Sequence, residues 1–578
     1  MNKTGKYAGA AMTALLGLGA YAFFALRYPY HLHFQEQYQL FEWTGKYFAE
    51  VASVPGGLAD WIGRCLTQFC YYAPAGAAIL AVLLCGVQLL TWAACRRRTL
   101  PAYAASFLPV AALLAFHCDE NALFGGTVAL LGVLGAAALC RRVEPDRARR
   151  FLAAALIPLL YLACGGLVVV FAGIIISAEA ARGARKAWSL GVALLLALVA
   201  SILLAQQVFP YPLGRLCYGV HYHRYRNFFP TWLWAAGLLS FGLAILPPRE
   251  RPERRQLAFG ASLFALAAIA GVSLTLRFED KVKEEWMRYD FMVRMEMWNR
   301  IMMLSDTKNP DNPATVSCLN LALSKAGRMG DHMFDYFQNG PEGLLPSSVR
   351  NHTNPVPTGE IYWHLGMVNT AQRFAFEAQE AIPDFQKSAR LYKRLVQTNI
   401  VNGDLAVARK YLRSLEHTLF YRRWAKETAA ALDAGDVFER QPELARARDL
   451  RLKEHDFLFS AEETDSMLGL LKVENPANGM ALEYLMAWCL LRKDLDRFVE
   501  VLPMVDTPSL PKSWQEALLL RWVLTHNDFN GLPDYISRTY VQRIASFISD
   551  SRSGKSEADM QRSYGDTYWF YYYYRYRQ

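Results

Sequence analysis

The sequence lacks the short motifs that mark the common enzyme chemistries. It has no P-loop, no HExxH and no GxSxG, and no GxGxxG follows a strand-like run. Its ten cysteines include no CxxC pair, so neither a zinc cluster nor a thioredoxin-type site is expected. The sequence therefore gives no sign of a nucleotide-binding enzyme, a zinc hydrolase or a serine hydrolase.

Charge is scarce along much of the first half of the chain. Apolar runs recur from residue 7 to residue 276, and clusters of Arg and Lys lie in every second gap between them. The interior of a lipid bilayer has no water to form hydrogen bonds with the backbone, so such runs must cross the membrane as helices. The basic clusters between them stay on the cytoplasmic side. The retention of basic residues at the cytoplasmic face also explains the net charge of +10, so the charge does not require a nucleic-acid partner.

The pattern predicts about nine transmembrane helices with the amino terminus in the cytoplasm. Basic residues flank the apolar run 151–177 on both sides, at Arg150 and Arg182, and Gly165-Gly166 interrupts it. A single crossing would place one basic cluster on the wrong side, so two short helices folded as a hairpin are expected. The predicted spans are residues 7–26, 70–95, 101–116, 122–140, 151–177 (two crossings), 188–206, 232–245 and 257–276.

The sequence of the second half of the chain predicts a soluble, helical domain. Apolar residues recur there at three- and four-residue steps, and several helix–turn–helix units resemble degenerate tetratricopeptide repeats of about 34 residues. The predicted fold class is all-α: a transmembrane bundle over residues 1–277, then an extracytoplasmic tetratricopeptide-like solenoid over residues 278–578. The clearest units are at residues 362–375, 391–412 and 480–501.

Three polar segments on the predicted outer face are candidates for chemistry. In the first loop, Glu36 lies shortly after the first span, and its carboxylate is a candidate general base or ligand of a divalent cation. The competing interpretation is a solvated charge on a helix that lies along the membrane interface, apolar side down. In the second loop, Asp119 and Glu120 are adjacent acids, which repel each other unless they are paired or bind a metal; the alternative is the polar tip of a hairpin.

The third segment is His221-Tyr222-His223-Arg224-Tyr225-Arg226. Its basic residues lie on the predicted outer side, against the general trend. Arg224 and Arg226 can bind a phosphate through paired hydrogen bonds, and His221 and His223 are candidates for the same phosphate site or for a metal. An aromatic belt with nonspecific lipid contacts is the alternative.

The sequence shows two resemblances to known families. The segment 34–41, the Pro55-Gly56-Gly57 turn followed by Gln68-Phe69, and the run 320–323 resemble a family of bacterial polytopic membrane proteins that has no established activity. The architecture is also similar to the GT-C glycosyltransferases, which use polyprenyl-phosphate-linked sugars. That likeness implies that Glu36, Asp119 and Glu120 are catalytic acids and that Arg224 and Arg226 bind the carrier phosphate. The usual first-loop Asp motif of that family is replaced here by Glu36-Gln37.

Two functions follow as hypotheses. The first is a transferase that moves a sugar from a lipid-linked donor to an acceptor at the outer face of the bacterial inner membrane, with or without a divalent cation. The second is a non-catalytic membrane-anchored scaffold whose repeats bind envelope proteins in the periplasm. The lipid bilayer is a partner in both, and neither hypothesis identifies a donor, an acceptor or a metal.

Overall fold

A computed structural model describes residues 3–95, 99–144, 146–218, 229–246, 253–346, 355–382, 386–452, 463–505, 509–526, 529–533 and 536–575. The regular elements of these residues are helices, as the sequence predicts. The first fourteen are α1 (Lys3–Ala22), α2 (Pro29–Gln37), α3 (Gly45–Ala52), α4 (Gly57–Thr67), α5 (Ala73–Ala94), α6 (Leu100–Ala105), α7 (Leu108–Phe116), α8 (Phe124–Cys140), α9 (Asp146–Cys164), α10 (Val168–Ala180), α11 (Ala184–Val208), α12 (Leu213–Tyr218), α13 (Thr231–Ile245) and α14 (Glu253–Phe278).

The remaining helices belong to the second half of the chain. They are α15 (Lys281–Arg294), α16 (Trp298–Thr307), α17 (Pro313–Lys325), α18 (Met329–His332), α19 (Pro355–Leu365), α20 (Val368–Ala381), α21 (Ala389–Asn402), α22 (Leu405–Glu416), α23 (Arg422–Ala434), α24 (Val437–Arg440), α25 (Pro442–Leu450), α26 (Thr464–Glu474), α27 (Gly479–Leu491), α28 (Leu495–Val501), α29 (Lys512–His526), α30 (Arg538–Arg552), α31 (Glu557–Tyr564) and α32 (Tyr568–Tyr574).

The chain divides into two compact units. Unit 1 comprises Met1–Glu284 together with two segments from the second half, Pro383–Ala389 and Ser414–Trp424. Unit 2 comprises the rest of the chain from Glu285 onward. The division lies close to the boundary at residues 277 and 278 that the composition predicts, but the sequence gives no sign of the two added segments.

Unit 1 contains the long apolar helices, and among the shorter ones only Gly479–Leu491 belongs to unit 2 within the described residues. Among the described residues, five helical runs are long and apolar enough to cross a membrane: Lys3–Arg27, Ala73–Ala94, Asp146–Ala180, Arg185–Val208 and Arg255–Phe278. The apolar helices Leu100–Phe116, Phe124–Cys140 and Thr231–Ile245 are shorter. Each predicted span therefore corresponds to an apolar helix, while the count of nine crossings stays a prediction.

Helices α9 and α10 form a hairpin. Gly165, between them, has a φ angle of 61°, a left-handed conformation that glycine adopts without steric cost. Arg149 at the start of α9 donates through Nε to Glu179 at the end of α10, at 2.8 Å. One continuous helix would separate these two residues by about 45 Å. The chain therefore reverses within the run Asp146–Ala180, where the basic flanks predict a reversal.

Contacts at the ends of α9 give its direction. The carbonyl oxygen of Arg149 lies 3.8 Å from the thiol of Cys140, the last residue of α8. At the other end of α9, the carbonyl oxygen of Leu162 accepts a hydrogen bond from Gly56 of the first loop, at 2.8 Å. Helix α9 thus runs from the end of unit 1 that carries the basic cluster around Arg149 to the end that carries the first loop.

Unit 2 is built from helices joined by tight turns. Helices α19 and α20 pack as a pair, and Tyr362 stacks on Phe374 with ring centroids 5.3 Å apart. Gly366, in the turn between them, has a φ of 89°, and a Cβ there would lie 2.5 Å from the carbonyl oxygen of Leu450. The helix pairs predicted at residues 362–375 and 480–501 are present, but the assignment to tetratricopeptide repeats stays a prediction.

A buried ion-pair network links three helices of unit 2. Arg390 of α21 donates to both oxygens of Asp290 of α15, at 2.6 and 3.0 Å, and to Glu360 of α19 at 3.3 Å. Arg394 binds the other oxygen of Glu360, and its guanidinium lies 4.3 Å from the ring centroid of Trp363. Burial alone would raise the pKa of Glu360, but the two arginines outweigh it and hold the pKa at about 2.

Candidate functional site

Helix α2, in the first loop, is largely buried. Its buried residues are both polar and apolar: His31, Leu32, Phe34, Gln35, Glu36 and Gln37. The Glu284 carboxylate accepts from the backbone N–H groups of Tyr30 and His31, at 2.8 and 2.9 Å, and so satisfies the first turn of the helix. The expected helix along the membrane interface, with one apolar face, is therefore wrong for α2.

The segments Pro383–Ala389 and Ser414–Trp424 of unit 1 explain this burial. Ser388 donates its hydroxyl to the carbonyl oxygen of Gln37 at 2.5 Å, and Ala389 donates its N–H to that of Gln39 at 3.2 Å. Trp43 donates its N–H to the carbonyl oxygen of His417 at 2.8 Å. The first loop thus binds the two segments largely through the main chain, which leaves little trace in the choice of side chains.

Glu36 lies inside this arrangement, with only 4% of its surface exposed. The Tyr421 hydroxyl donates to Glu36 Oε2 at 3.4 Å. Tyr71 stacks on Phe420, the residue before Tyr421, with ring centroids 4.8 Å apart. Glu36 is therefore an interior carboxylate beside aromatic residues rather than a solvated charge.

The two acids of the second loop have other partners. Asp119 Oδ1 accepts from the Asn121 N–H at 2.8 Å and closes a tight turn. Glu120 forms an ion pair of 2.7 Å with Lys283. Because Glu36 contacts different groups, the described contacts do not join the three predicted catalytic acids into one site.

A second polar group lies at the junction of the first and second loops. We call it the loop-junction cluster. Gln35 Nε2 lies 3.3 Å from His31 Nε2 and donates to the Ala122 carbonyl oxygen at 2.7 Å. Nε2 of His117 lies 2.7 Å from the Thr127 hydroxyl. The cluster consists of five buried side chains: His31, Gln35, His117, Asn121 and Thr127.

Four side chains of the loop-junction cluster keep a polar atom without a hydrogen-bond partner among the described residues. These atoms are His31 Nδ1, Gln35 Oε1, His117 Nδ1 and Asn121 Oδ1. Burial lowers the pKa of His31 to about 4 and that of His117 to about 3, so both imidazoles are neutral at pH 7. Orphaned polar atoms in an interior indicate a bound water, an ion or a catalytic role.

The charge of Asp119 reaches this cluster, since it acts to raise the pKa of His31 against the larger effect of burial. Among the described residues, no group of three or more His, Cys, Asp or Glu side chains has the arrangement of a metal site. The four residues predicted to bind a lipid phosphate fall outside the described residues: His221, His223, Arg224 and Arg226.

Aromatic residues collect around helices α3 and α4 at the same end of unit 1. Phe41 contacts Trp43, Tyr47 and Trp61, with ring centroids 5.2 to 5.4 Å apart. Trp43 is exposed. Such clusters are typical of the level where a membrane meets water, so this part of the first loop, rather than α2, fits the predicted interfacial position.

Comparison with known proteins gives one match. The model of a family of unknown function (DUF6057) matches residues 5–575. The chain belongs to this family. No curated protein matches the chain, and neither does any solved structure.

The sequence singles out Glu36, Asp119 and Glu120 but not the loop-junction cluster. A His and a Gln four residues apart on α2 were the available signal, since that spacing puts both on one helix face. Their partners come from the second loop and from α8, and no local pattern specifies that pairing.

Proposed function

We propose that the protein is a multi-pass membrane scaffold that displays its helical array for binding another envelope protein. The membrane half would cross about nine times with its amino terminus in the cytoplasm, and the array would lie on the outer side with the first loop. The first loop contacts the segments Pro383–Ala389 and Ser414–Trp424, which supports placing the loop and both segments on the same side of the membrane.

One observation carries the preference for a scaffold. Each acid predicted to be catalytic has a structural contact within unit 1: Glu36 with the Tyr421 hydroxyl, Asp119 with the Asn121 N–H of its own loop, and Glu120 with the ammonium of Lys283. Acids that stabilise a fold in this way favour a structural role over three separate catalytic ones.

The start of α22 offers a candidate binding surface on the array. Leu405 and Val407 are each 40% exposed, and Ala406 between them is exposed as well. Successive exposed apolar residues on a soluble surface indicate a protein contact more strongly than scattered ones do. Helical arrays use extended faces of this kind for binding.

The test measures the mass of the assembly extracted from native membranes in mild detergent. We expect an assembly larger than the 65.3 kDa chain that dissociates in the Leu405→Asp/Val407→Asp variant. The control is Val473→Asp, because Val473 is also exposed but lies on α26. An assembly that survives the double substitution, or a chain that runs alone in its native form, contradicts the scaffold.

A sugar transferase that uses a lipid-linked donor is the second candidate. The loop-junction cluster supports it, because four unpartnered polar atoms lie between the two loops that carry the predicted acids. In that case Glu36→Gln abolishes transfer while the protein still inserts and assembles normally. Under the scaffold proposal, Glu36→Gln leaves the assembly and the cellular phenotype intact.

A further inference from the structure

Helices α1, α7 and α14 of unit 1 border an apolar groove. Its volume is about 350 Å³, within the range of ligand-binding cavities. The bottom is α7, on which α14 packs, and the groove lies between α1 and α14. Its lining includes Leu15 and Gly19 of α1, Phe23 of the π-helical turn that follows α1, Leu114 of α7, and Gly271 and Leu276 of α14.

The length and lining of the groove suit a hydrocarbon chain. Along α1 and the π-helical turn that follows it, the groove extends from Leu15 to Phe23, about 12 Å along the helix axis. A flexible hydrocarbon chain fits, because it is thinner than a helix and can follow an irregular wall.

Basic side chains lie where the groove ends. Arg27 follows Phe23 by one turn and binds Glu279, just beyond Leu276, through Nε and Nη2 at 2.8 Å each. Lys281 lies 3.3 Å from the same carboxylate. Arg27 and Lys281 therefore share a single buried carboxylate.

Both cations are accessible to a ligand. Arg27 is 51% exposed and Lys281 is 73% exposed. The Nη1 nitrogen of Arg27 makes no hydrogen bond within the described part of the chain. Guanidinium and ammonium groups together suit a phosphate, which accepts several charge-assisted hydrogen bonds.

We propose that this groove binds one anionic phospholipid, with an acyl chain between α1 and α14 and its phosphate at Arg27 and Lys281. The apolar lining accommodates the acyl chain, and the phosphate accepts hydrogen bonds from the two exposed cations beside Glu279. The inference rests on the proposed membrane location of unit 1, but not on either proposed activity.

Gly19 provides a variant that fills part of the groove. A Cβ at Gly19 would meet no atom within 4 Å, so the side chain of Gly19→Leu begins in open space at the groove. Gly242 of α13 is the matched control, because a Cβ there also meets nothing within 4 Å and Gly242 does not line the groove.

The experiment measures lipid that stays bound to the full-length protein. The protein is equilibrated with mixed micelles of phosphatidylglycerol and phosphatidylcholine in equal amounts, and retained lipids are counted by native mass spectrometry. We expect one phosphatidylglycerol in excess for the native chain and for Gly242→Leu, and none for Gly19→Leu. Lys281→Gln should lower the preference about fivefold, the effect of one basic residue at a membrane surface.

Two outcomes would overturn the inference. Equal retention of both lipids by the native chain means that the groove holds bulk lipid without selection of the headgroup. Undiminished phosphatidylglycerol on Gly19→Leu means that the lipid binds elsewhere. Release of the native protein from membranes by an alkaline wash without detergent would instead refute the membrane location itself, so the two failures are distinguishable.

Discussion

The ion-pair network of unit 2 and the loop-junction cluster of unit 1 are both buried and polar, but they differ in charge. In the network, Asp290, Glu360, Arg390 and Arg394 each have an oppositely charged partner. In the cluster, four neutral side chains each keep a polar atom without a hydrogen-bond partner among the described residues. Charges that are matched by opposite charges indicate a role in the fold, whereas neutral groups with an unused polar atom mark a place where water or a ligand can bind.

The largest expected effect comes from breaking the network. Arg390→Ala leaves Asp290 buried without its main partner, and loss of one member of a buried ion pair costs about 3–5 kcal/mol. We expect a decrease of this size in the free energy of unfolding, measured by urea titration of the full-length chain in detergent with tryptophan fluorescence.

An exposed ion pair supplies the control for that measurement. Arg409 and Asp433 are paired but 41% and 67% exposed, so Arg409→Ala should cost no more than about 1 kcal/mol. Equal effects of Arg390→Ala and Arg409→Ala would mean that the network adds nothing beyond a surface pair, and the comparison between the two clusters would lose its basis.

The same contrast explains what the sequence could predict. The reversal at Gly165 followed from local information, because a glycine pair lies between two basic flanks. The turn at Gly366 was similarly visible. The burial of α2 was not, since it depends on main-chain contacts with residues about 350 positions away, such as Ser388 with Gln37. Hydropathy describes a segment and its solvent, but not which distant segment will cover it.

The candidate site shows the same limit. Glu36 and Asp119 stood out because carboxylates close to apolar spans are unusual, but their partners were invisible. The pairing of Glu120 with Lys283 and of Glu36 with Tyr421 is set by tertiary structure alone. An isolated acid close to an apolar span is therefore better evidence for a role of some kind, structural or functional, than for catalysis in particular.

A matched pair of asparagines sharpens the comparison. Asn320 of unit 2 is fully paired: its Nδ2 donates to Gln338 at 3.0 Å and to the Gly343 carbonyl oxygen at 2.9 Å, and its Oδ1 accepts from Gln338 at 3.2 Å. Asn320→Leu should cost about 2 kcal/mol, because it leaves Gln338 Oε1 and the Gly343 carbonyl oxygen buried without the Asn320 donor, although Gln338 Nε2 still donates to Met333. Asn121→Leu should cost less than about 1 kcal/mol, since Asn121 Oδ1 has no partner to lose among the described residues.

Thermal unfolding of the two variants in parallel measures this difference. If Asn121→Leu destabilises the protein as much as Asn320→Leu does, Asn121 Oδ1 binds something in the native protein, such as an ordered water or an ion. That result would mean that the loop-junction cluster is an occupied site and not a packing imperfection. A negligible cost at both positions would contradict the importance of completed pairing itself.

The last comparison is a difference in pH dependence. In the loop-junction cluster, the pKa values of His31 and His117 are lowered to about 4 and 3 by burial, so stability should fall as pH drops below about 6.5, where the unfolded chain takes up protons first. In unit 2, burial raises the pKa of Glu516 to about 8. The folded state then holds a proton that the unfolded state has lost, and stability should fall as pH rises from about 4.5 to 8.

Glu516→Gln isolates the second effect. The amide oxygen can still accept the hydrogen bond that Glu516 Oε2 receives from the Tyr568 N–H at 2.8 Å, but it cannot ionise. We therefore expect this variant to gain melting temperature relative to the native chain at pH 8 and to show no gain at pH 4.5. The exposed Glu500→Gln serves as the control and should shift neither value. An equal gain at both pH values would mean that the amide improves packing, and that ionisation of Glu516 is not what weakens unit 2 at high pH.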